Sequence, residues 1–329
     1  MAAPPLLLLA FLTFLPFSFS QSKLSPDYYS KTCPQFQETM GHVVSEKQST
    51  SPNTAAAVLR LFFHDCAVEG CDGSILISST SFNKAERDAE PNLLLPGDAF
   101  DVVVRAKTAL ELQCPGIVSC SDILATAVRD LVSMVGGPKY SVPLGRKDGL
   151  ESNAARVEGN LPSPTMPLSK IISLYASKGF SVQEMVALAG ARTIGFSQCK
   201  EFSNRLFNFS KSSDSDPAYS HKYAEALKKL CANYTQDPSM SAYNDVMTPE
   251  KFDNMYYQNL QKGLGLLSVD QDLAVDERTK PFVDLYASNS TAFFQDFALA
   301  MEKLSVYKVK TDREGEVRRR CDHFNNVNL

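Results

Sequence analysis

Arg60 and His64, in the run Arg60-Leu61-Phe62-Phe63-His64-Asp65-Cys66, are of types and spacing that could do chemistry. Four residues apart, they share one face if the run is helical. A neutral imidazole beside a permanent cation suits a reaction in which a proton is taken and negative charge develops nearby. A plain structural reading of these residues alone stays open: a partly exposed histidine at a helix end beside a surface arginine. The next stretch adds oxygen. Asp65, Val68, Gly70, Asp72 and Ser74 place carboxylates, a hydroxyl and turn carbonyls around a short loop. Calcium prefers such ligands, although acidic loops also occur without an ion. Cys66 and Cys71 could staple the same loop, with Gly70 permitting the turn.

The elements that must position these residues read as helices, with no internal repeat. Ser51-Pro52 has the form of an N-cap followed by proline at the first helical position, leading into Ala55 to His64. Phe100, Val103, Val104, Lys107 and Leu110 predict a second amphipathic helix, and Ile123 to Val135 a third, stopped by Gly136-Gly137-Pro138. A further helix runs from Leu168 to Ser177 and ends at Gly179. Ser181-Val182-Gln183-Glu184 is a capping box opening a short apolar helix that ends near Gly190. Thr248-Pro249 predicts a helix start leading through Tyr257 and Leu260, and Phe293, Phe297, Ala300, Met301 and Leu304 mark one more. Strand signals are few and short. Long irregular connections are expected at 66–98, 139–167 and 262–280, and connections of that length need cross-links, ions or a function.

With 329 residues the chain can bury one large core or two interlocked ones. Its 44% hydrophobic and 21% charged residues are ordinary for a globular protein, and a net charge of −4 argues against a general nucleic-acid binder. The run Arg318-Arg319-Arg320 therefore reads as a solvated surface patch. Leu6 to Phe19 form an apolar stretch ending in small residues, which reads residues 1–20 as a secretory signal although the usual preceding positive charge is missing. No other segment has the apolar run that a membrane helix needs. The eight cysteines, Cys33, Cys66, Cys71, Cys114, Cys120, Cys199, Cys231 and Cys321, include no Cys-x-x-Cys pair, and behind a signal they imply disulfides rather than a metal site. Sequons at Asn208, Asn233 and Asn289 fit the same compartment.

Arg60-Leu-Phe-Phe-His64-Asp-Cys66 with Gly70-Cys71-Asp72-Gly-Ser74 closely resembles the distal haem motif of the class III (secretory) plant peroxidases. Ala187-Leu-Ala-Gly-Ala-Arg-Thr193-Ile-Gly-Phe-Ser-Gln-Cys199 resembles the family's proximal motif. The resemblance runs from about Leu24 to Cys321. It implies a mainly α, haem-peroxidase fold: a distal half near 24–160, a proximal half near 161–300, and a C-terminal segment returning to the distal half. It implies disulfides 33–114, 66–71, 120–321 and 199–231, haem b and two calcium ions. By resemblance, His64 is the acid/base acting on hydrogen peroxide, Arg60 stabilises the departing hydroxide, and Asn92 accepts the other imidazole hydrogen. Phe63 walls the distal pocket and Pro162 binds aromatic reducing substrates. Asp65, Val68, Gly70, Asp72 and Ser74 would hold distal calcium. Thr193, Asp245, Thr248 and Asp253, with a carbonyl near Lys251, would hold proximal calcium. Asp122 and Arg146 resemble a structural ion pair, and Asp270 matches the carboxylate that orients the iron-bound histidine.

At the iron-ligand position, where the family has histidine, this chain has Arg192. Its four histidines are His42, His64, His221 and His323, none beside that motif. A guanidinium stays protonated and has no lone pair to give to iron, and Asp270 could instead pair with it. Ala67 is a smaller departure, where an aromatic is common. The resemblance implies a monomeric, secreted or cell-wall (or vacuolar) enzyme that consumes hydrogen peroxide, oxidises small aromatic donors, and binds neither membrane nor nucleic acid. The alternative is a haem-poor, catalytically impaired, calcium-binding extracellular protein of the same fold. A calcium-binding protein without enzymatic ancestry would leave Arg60, His64 and Asn92 unexplained.

Overall fold

A computed structural model describes residues 24–325; the secretory signal expected at 1–20 lies outside them. Among the described residues the chain forms twelve α-helices: α1 (Phe36–Thr50), α2 (Thr54–Ala67), α3 (Gly97–Gln113), α4 (Cys120–Met134), α5 (Leu168–Ser177), α6 (Val182–Ala189), α7 (Ser203–Leu206), α8 (His221–Leu230), α9 (Met255–Gln261), α10 (Ser268–Val275), α11 (Lys280–Ser288) and α12 (Ser290–Ser305). Two three-residue strands, β1 (Phe196–Gln198) and β2 (Ser241–Tyr243), pair antiparallel with Ser197 opposite Ala242. None of these helices is long and apolar enough to cross a membrane.

α2 is apolar on nearly every side, as a helix enclosed by others must be. It packs on α3 and α4 and meets the short 3₁₀ turn Gly190–Ile194. That turn follows α6, whose capping box is intact: Ser181 Oγ accepts from Glu184 N at 3.1 Å and the Glu184 carboxylate accepts from Ser181 N at 2.7 Å. α6 lies against α12, which buries Phe293, Phe297, Ala300, Met301 and Leu304. Gly190 is the close-approach point, because a Cβ there would stand 2.4 Å from the Phe293 ring. These contacts put the two motif-bearing segments, α2 and 190–194, face to face.

Four disulfides join Cys33 to Cys114, Cys66 to Cys71, Cys120 to Cys321 and Cys199 to Cys231, and no free cysteine remains among the described residues. Such bridges stabilise by roughly 2–4 kcal/mol each by restricting the unfolded chain. Arg146 Nη1 meets Asp122 Oδ1 at 2.8 Å with both side chains fully buried, and Tyr29 donates to Asp122 Oδ2 at 2.7 Å. The C-terminal segment runs back over the chain, bridging Lys147 with Lys310 and Asp148 with Glu316.

Several sequence expectations are corrected. Ser51 ends α1, and the residue before α2 is Asn53, with no side-chain cap bond. The third predicted helix begins at Cys120, capped by Ser119. Thr248-Pro249 starts no helix; Thr248 turns its hydroxyl toward Asp245 and Asp253, and α9 opens only at Met255. The 262–280 connection contains α10. Arg318 is not solvated: it is fully buried, donating from Nη1 to Gly73 O at 2.7 Å and from Nη2 to Gly149 O at 2.6 Å, while Arg319 and Arg320 stay exposed.

Candidate active site and cation-binding loops

α2 places Arg60 and His64 on one face, with Arg60 Nε 3.4 Å from His64 Nε2. His64 Nδ1 lies 2.6 Å from Asn92 Oδ1, and Asn92 Nδ2 donates to Glu86 O at 2.7 Å. Because the amide nitrogen is committed to a carbonyl, the amide oxygen faces the imidazole. Nδ1 therefore carries the hydrogen and Nε2 keeps its lone pair. Burial, then the Arg60 charge, push the His64 pKa down to about 4 against a smaller opposing effect of Asn92. The imidazole is thus neutral and able to take a proton over the whole mild pH range. Arg60 stays charged, though burial and then Arg192 lower its pKa. It also donates to Leu94 O at 3.2 Å.

Arg192 comes from the 190–194 turn that faces α2. Its Nε meets Asp270 Oδ1 at 3.1 Å. Asp270, on α10, is 1% exposed and fully engaged: Oδ1 also accepts from Tyr256 OH at 2.8 Å, and Oδ2 accepts from Leu267 N at 3.1 Å. Burial pulls the Arg192 guanidinium down, and Asp270, Tyr256 and Tyr175 more than restore it. About a third of its side chain (32%) is reached by solvent. A guanidinium held this way donates hydrogen bonds and offers no lone pair.

Phe63 stacks on Tyr175 with centroids 6.2 Å apart, and both line a small cavity of about 10 Å³ together with Pro162, Lys178, Phe180 and Tyr307. Lys178 closes one side, donating to Ala67 O at 2.7 Å and Asn160 Oδ1 at 2.8 Å. This space is apolar and holds at most about one water.

The loop after α2 gathers buried oxygen. Asp65 accepts from Gly73 N at 3.0 Å and Ile75 N at 3.3 Å; Asp72 accepts from Ser74 N at 3.1 Å. Ser74 Oγ donates to Glu86 Oε2 at 2.8 Å, while Glu86 Oε1 has no hydrogen-bond partner. Val68 and Gly70 are buried in the same loop, and Gly70 is obligatory: its φ is +119° and a Cβ would stand 2.4 Å from Lys308 O. Burial, then the Asp72 charge, raise Asp65 well above the usual carboxylate range. Glu86 Oε1 is met only by Arg156 Nη1 at 3.5 Å, and two buried carboxylates repelling each other beside it fit a cation.

A second set converges between the 190–194 turn and the segment before α9. Thr193 Oγ1 lies 3.1 Å from Asp245 Oδ2 and 3.3 Å from Lys251 O. Thr248 Oγ1 lies 3.2 Å from Asp245 Oδ2 and 3.1 Å from Asp253 Oδ1. Two carboxylates, two hydroxyls and a carbonyl make a hard-oxygen set suited to calcium. No group of three or more His, Cys, Asp or Glu side chains is placed to hold a metal among the described residues. Each calcium candidate instead combines two carboxylates with hydroxyls and carbonyls.

Asn208, Asn233 and Asn289 are exposed. Asn289 caps α12, its Oδ1 accepting from Ala292 N at 3.0 Å. Arg318 and Glu86 were missed as parts of the distal loop.

Residues 40–289 match the family model described as Peroxidase. Among plant relatives, Peroxidase 65 of Arabidopsis thaliana is 60% identical over 306 residues, covering 93% of this chain and 90% of that protein. Peroxidase 31 of the same plant is 58% identical over 315 residues (96% and 98%), and Peroxidase 41 is 56% identical over 320 residues (97% of each). With the family model matched over most of its length and relatives this similar from end to end, the chain belongs to the peroxidase family.

Proposed function

We propose that this protein is a haem-dependent plant peroxidase that removes hydrogen peroxide and oxidises phenolic or similar aromatic donors. The observation that carries the reading is the His64–Asn92 bond of 2.6 Å, which fixes a neutral imidazole with its lone pair directed to Arg60. His64 Nε2 takes a proton from one peroxide oxygen and returns it to the other, and Arg60 supports the negative charge that develops between these events. Asn92 keeps the imidazole in the tautomer this requires. Phe63 and Pro162 are the residues that the resemblance gives to aromatic donors, which dock at their outer edge because the space between them admits about one water. Calcium at Asp65, Val68, Gly70, Asp72 and Ser74 braces the end of α2, and calcium at Thr193, Asp245, Thr248 and Asp253 braces the 190–194 turn. Two interlocked halves, near 24–160 and 161–300, close on the crevice between these segments. The protein acts as a secreted, glycosylated monomer outside the cell, in the wall or in the vacuole.

The distal residues fit haem, which supplies the redox chemistry of this family. The proximal residue does not fit. Where the family's histidine gives a lone pair, Arg192 presents a protonated guanidinium paired with Asp270. That ion pair favours a second reading: a haem-poor, catalytically impaired protein that keeps the calcium sites and disulfides. Steady-state oxidation of a methoxyphenol by hydrogen peroxide, after reconstitution with haem and calcium, tests the first reading. Turnover that falls by about 10²–10⁴ in His64→Leu supports the assigned role. Turnover unchanged in that variant removes it.

A further inference from the structure

Behind the distal loop a cleft of about 590 Å³ opens between the 66–98 and 139–167 connections and the end of the described chain. This size lies within the roughly 300–1,000 Å³ of small-ligand sites. None of its lining residues belongs to the Arg60–His64–Asn92 group, although Ser152 and Arg156 touch Glu86 behind the distal loop. Phe324 forms an aromatic wall, with the buried Arg318 guanidinium 5.3 Å from its ring centroid, and Leu150, 55% exposed, adds a second apolar surface.

Between these walls the polar groups alternate in kind. Asn153 Oδ1 is used, accepting from Ala155 N at 2.9 Å, and its two amide hydrogens meet no acceptor among the described residues. Asn83 shows the reverse: its Nδ2 donates to Ser152 O at 2.7 Å, so its Oδ1 remains to accept. Arg156 turns Nη1 toward Glu151 O at 3.3 Å, Glu86 Oε1 at 3.5 Å and Glu151 Oε2 at 3.8 Å, and among the described residues its Nε and Nη2 make no hydrogen bond. The Glu151 side chain is 82% exposed and presents an acceptor at the rim.

Charge narrows the ligand class. Arg156 and Glu151 cancel at the cleft surface, and the buried Glu86 carboxylate beneath Arg156 opposes an incoming anion. A bare cation would meet Arg156. What matches interspersed donors and acceptors between apolar walls, with no net charge, is a molecule whose hydroxyls both donate and accept and whose ring faces are apolar. We propose that this cleft binds a short neutral oligosaccharide, its ring face on Phe324 and its hydroxyls on Asn83, Asn153, Arg156 and Glu151. The site is independent of how, or whether, the chain holds haem.

Calorimetric titration of the intact secreted chain, calcium-loaded, tests this with three tetramers: a β-linked glucose oligomer, a β-linked mannose oligomer and a galacturonate oligomer. The expected result is saturable binding of at least one neutral tetramer, weakened about tenfold by Phe324→Ala and by Asn153→Ala, a factor equivalent to losing one ring contact or hydrogen bond. Leu150→Ser, at a half-exposed position, should weaken binding severalfold, and circular dichroism checks the fold of all three variants. No saturable binding of either neutral tetramer overturns the proposal. So does tighter binding of the uronate, or neutral binding unaffected by all three substitutions in folded protein.

Discussion

Separating Arg192 from Asp270 should destabilise the chain by an amount the geometry allows us to bound. At 3.1 Å, with an effective dielectric of about 20, two unit charges attract by about 5 kcal/mol. Desolvating the carboxylate and ordering the arginine offset part of this, and breaking a buried pair costs about 3–5 kcal/mol. With 32% of the Arg192 side chain in contact with solvent, the lower end applies, so Asp270→Asn should cost about 3 kcal/mol. Arg192→Met should cost less, since the stranded carboxylate keeps Tyr256 OH and Leu267 N as donors. The assay is a double-mutant cycle on haem-free, calcium-loaded protein with intact disulfides, read by urea and thermal unfolding. The coupling should be about 2–3 kcal/mol, and Asp270→Asn should lower Tm by about 4–5 °C for a chain of this size. If the two substitutions add to within about 0.5 kcal/mol, Arg192 is solvated in the crevice and the ion pair is not what fills the proximal position.

Three other outcomes follow from the same contacts. The unfolded chain protonates His64 near pH 6.5 and the folded chain only near 4, so its contribution to stability is full above 6.5 and is lost on acidification toward 4. The difference between wild type and His64→Leu in urea unfolding should therefore change by about 3 kcal/mol across that window, and a flat difference contradicts a buried neutral imidazole. Chelating calcium should lower Tm by more than about 5 °C and expose the crevice before the chain unfolds, at about 3–4 kcal/mol per well-occupied site; an unchanged Tm counts against both ion sites. Arg318→Gln should cost about 3 kcal/mol by stranding Gly73 O and Gly149 O, while Arg319→Gln stays within about 0.5, and equal thermal shifts for the two would refute the buried assignment.

How much of this was legible in the sequence depends on the range of the interaction. Arg60 and His64 share a face because helix geometry fixes that from spacing alone, and the Ser181–Glu184 box closes within four residues. The His64–Asn92 contact spans 28 residues and was reachable only through resemblance. Ser51-Pro52 and Thr248-Pro249 carried start signals that tertiary structure used otherwise: Ser51 closes α1, and Thr248 serves an oxygen cluster. Arg318 looked solvated because nothing near it in the chain announces the carbonyl it satisfies 245 residues away. The Arg192–Asp270 pair lies between these extremes. The residue types suggested it, and only the approach of α10 to the 190–194 turn brings it about.

The most direct test of the account is the ultraviolet–visible spectrum of the secreted chain reconstituted with haem and calcium, beside an Arg192→His version. The account predicts that the histidine version shows a bound-haem band and the native chain lacks the spectrum of a histidine-ligated iron. A native chain with that same histidine-ligated spectrum, turning over peroxide at a comparable rate, would contradict the reading that Arg192, paired with Asp270, gives iron no lone pair on the proximal side.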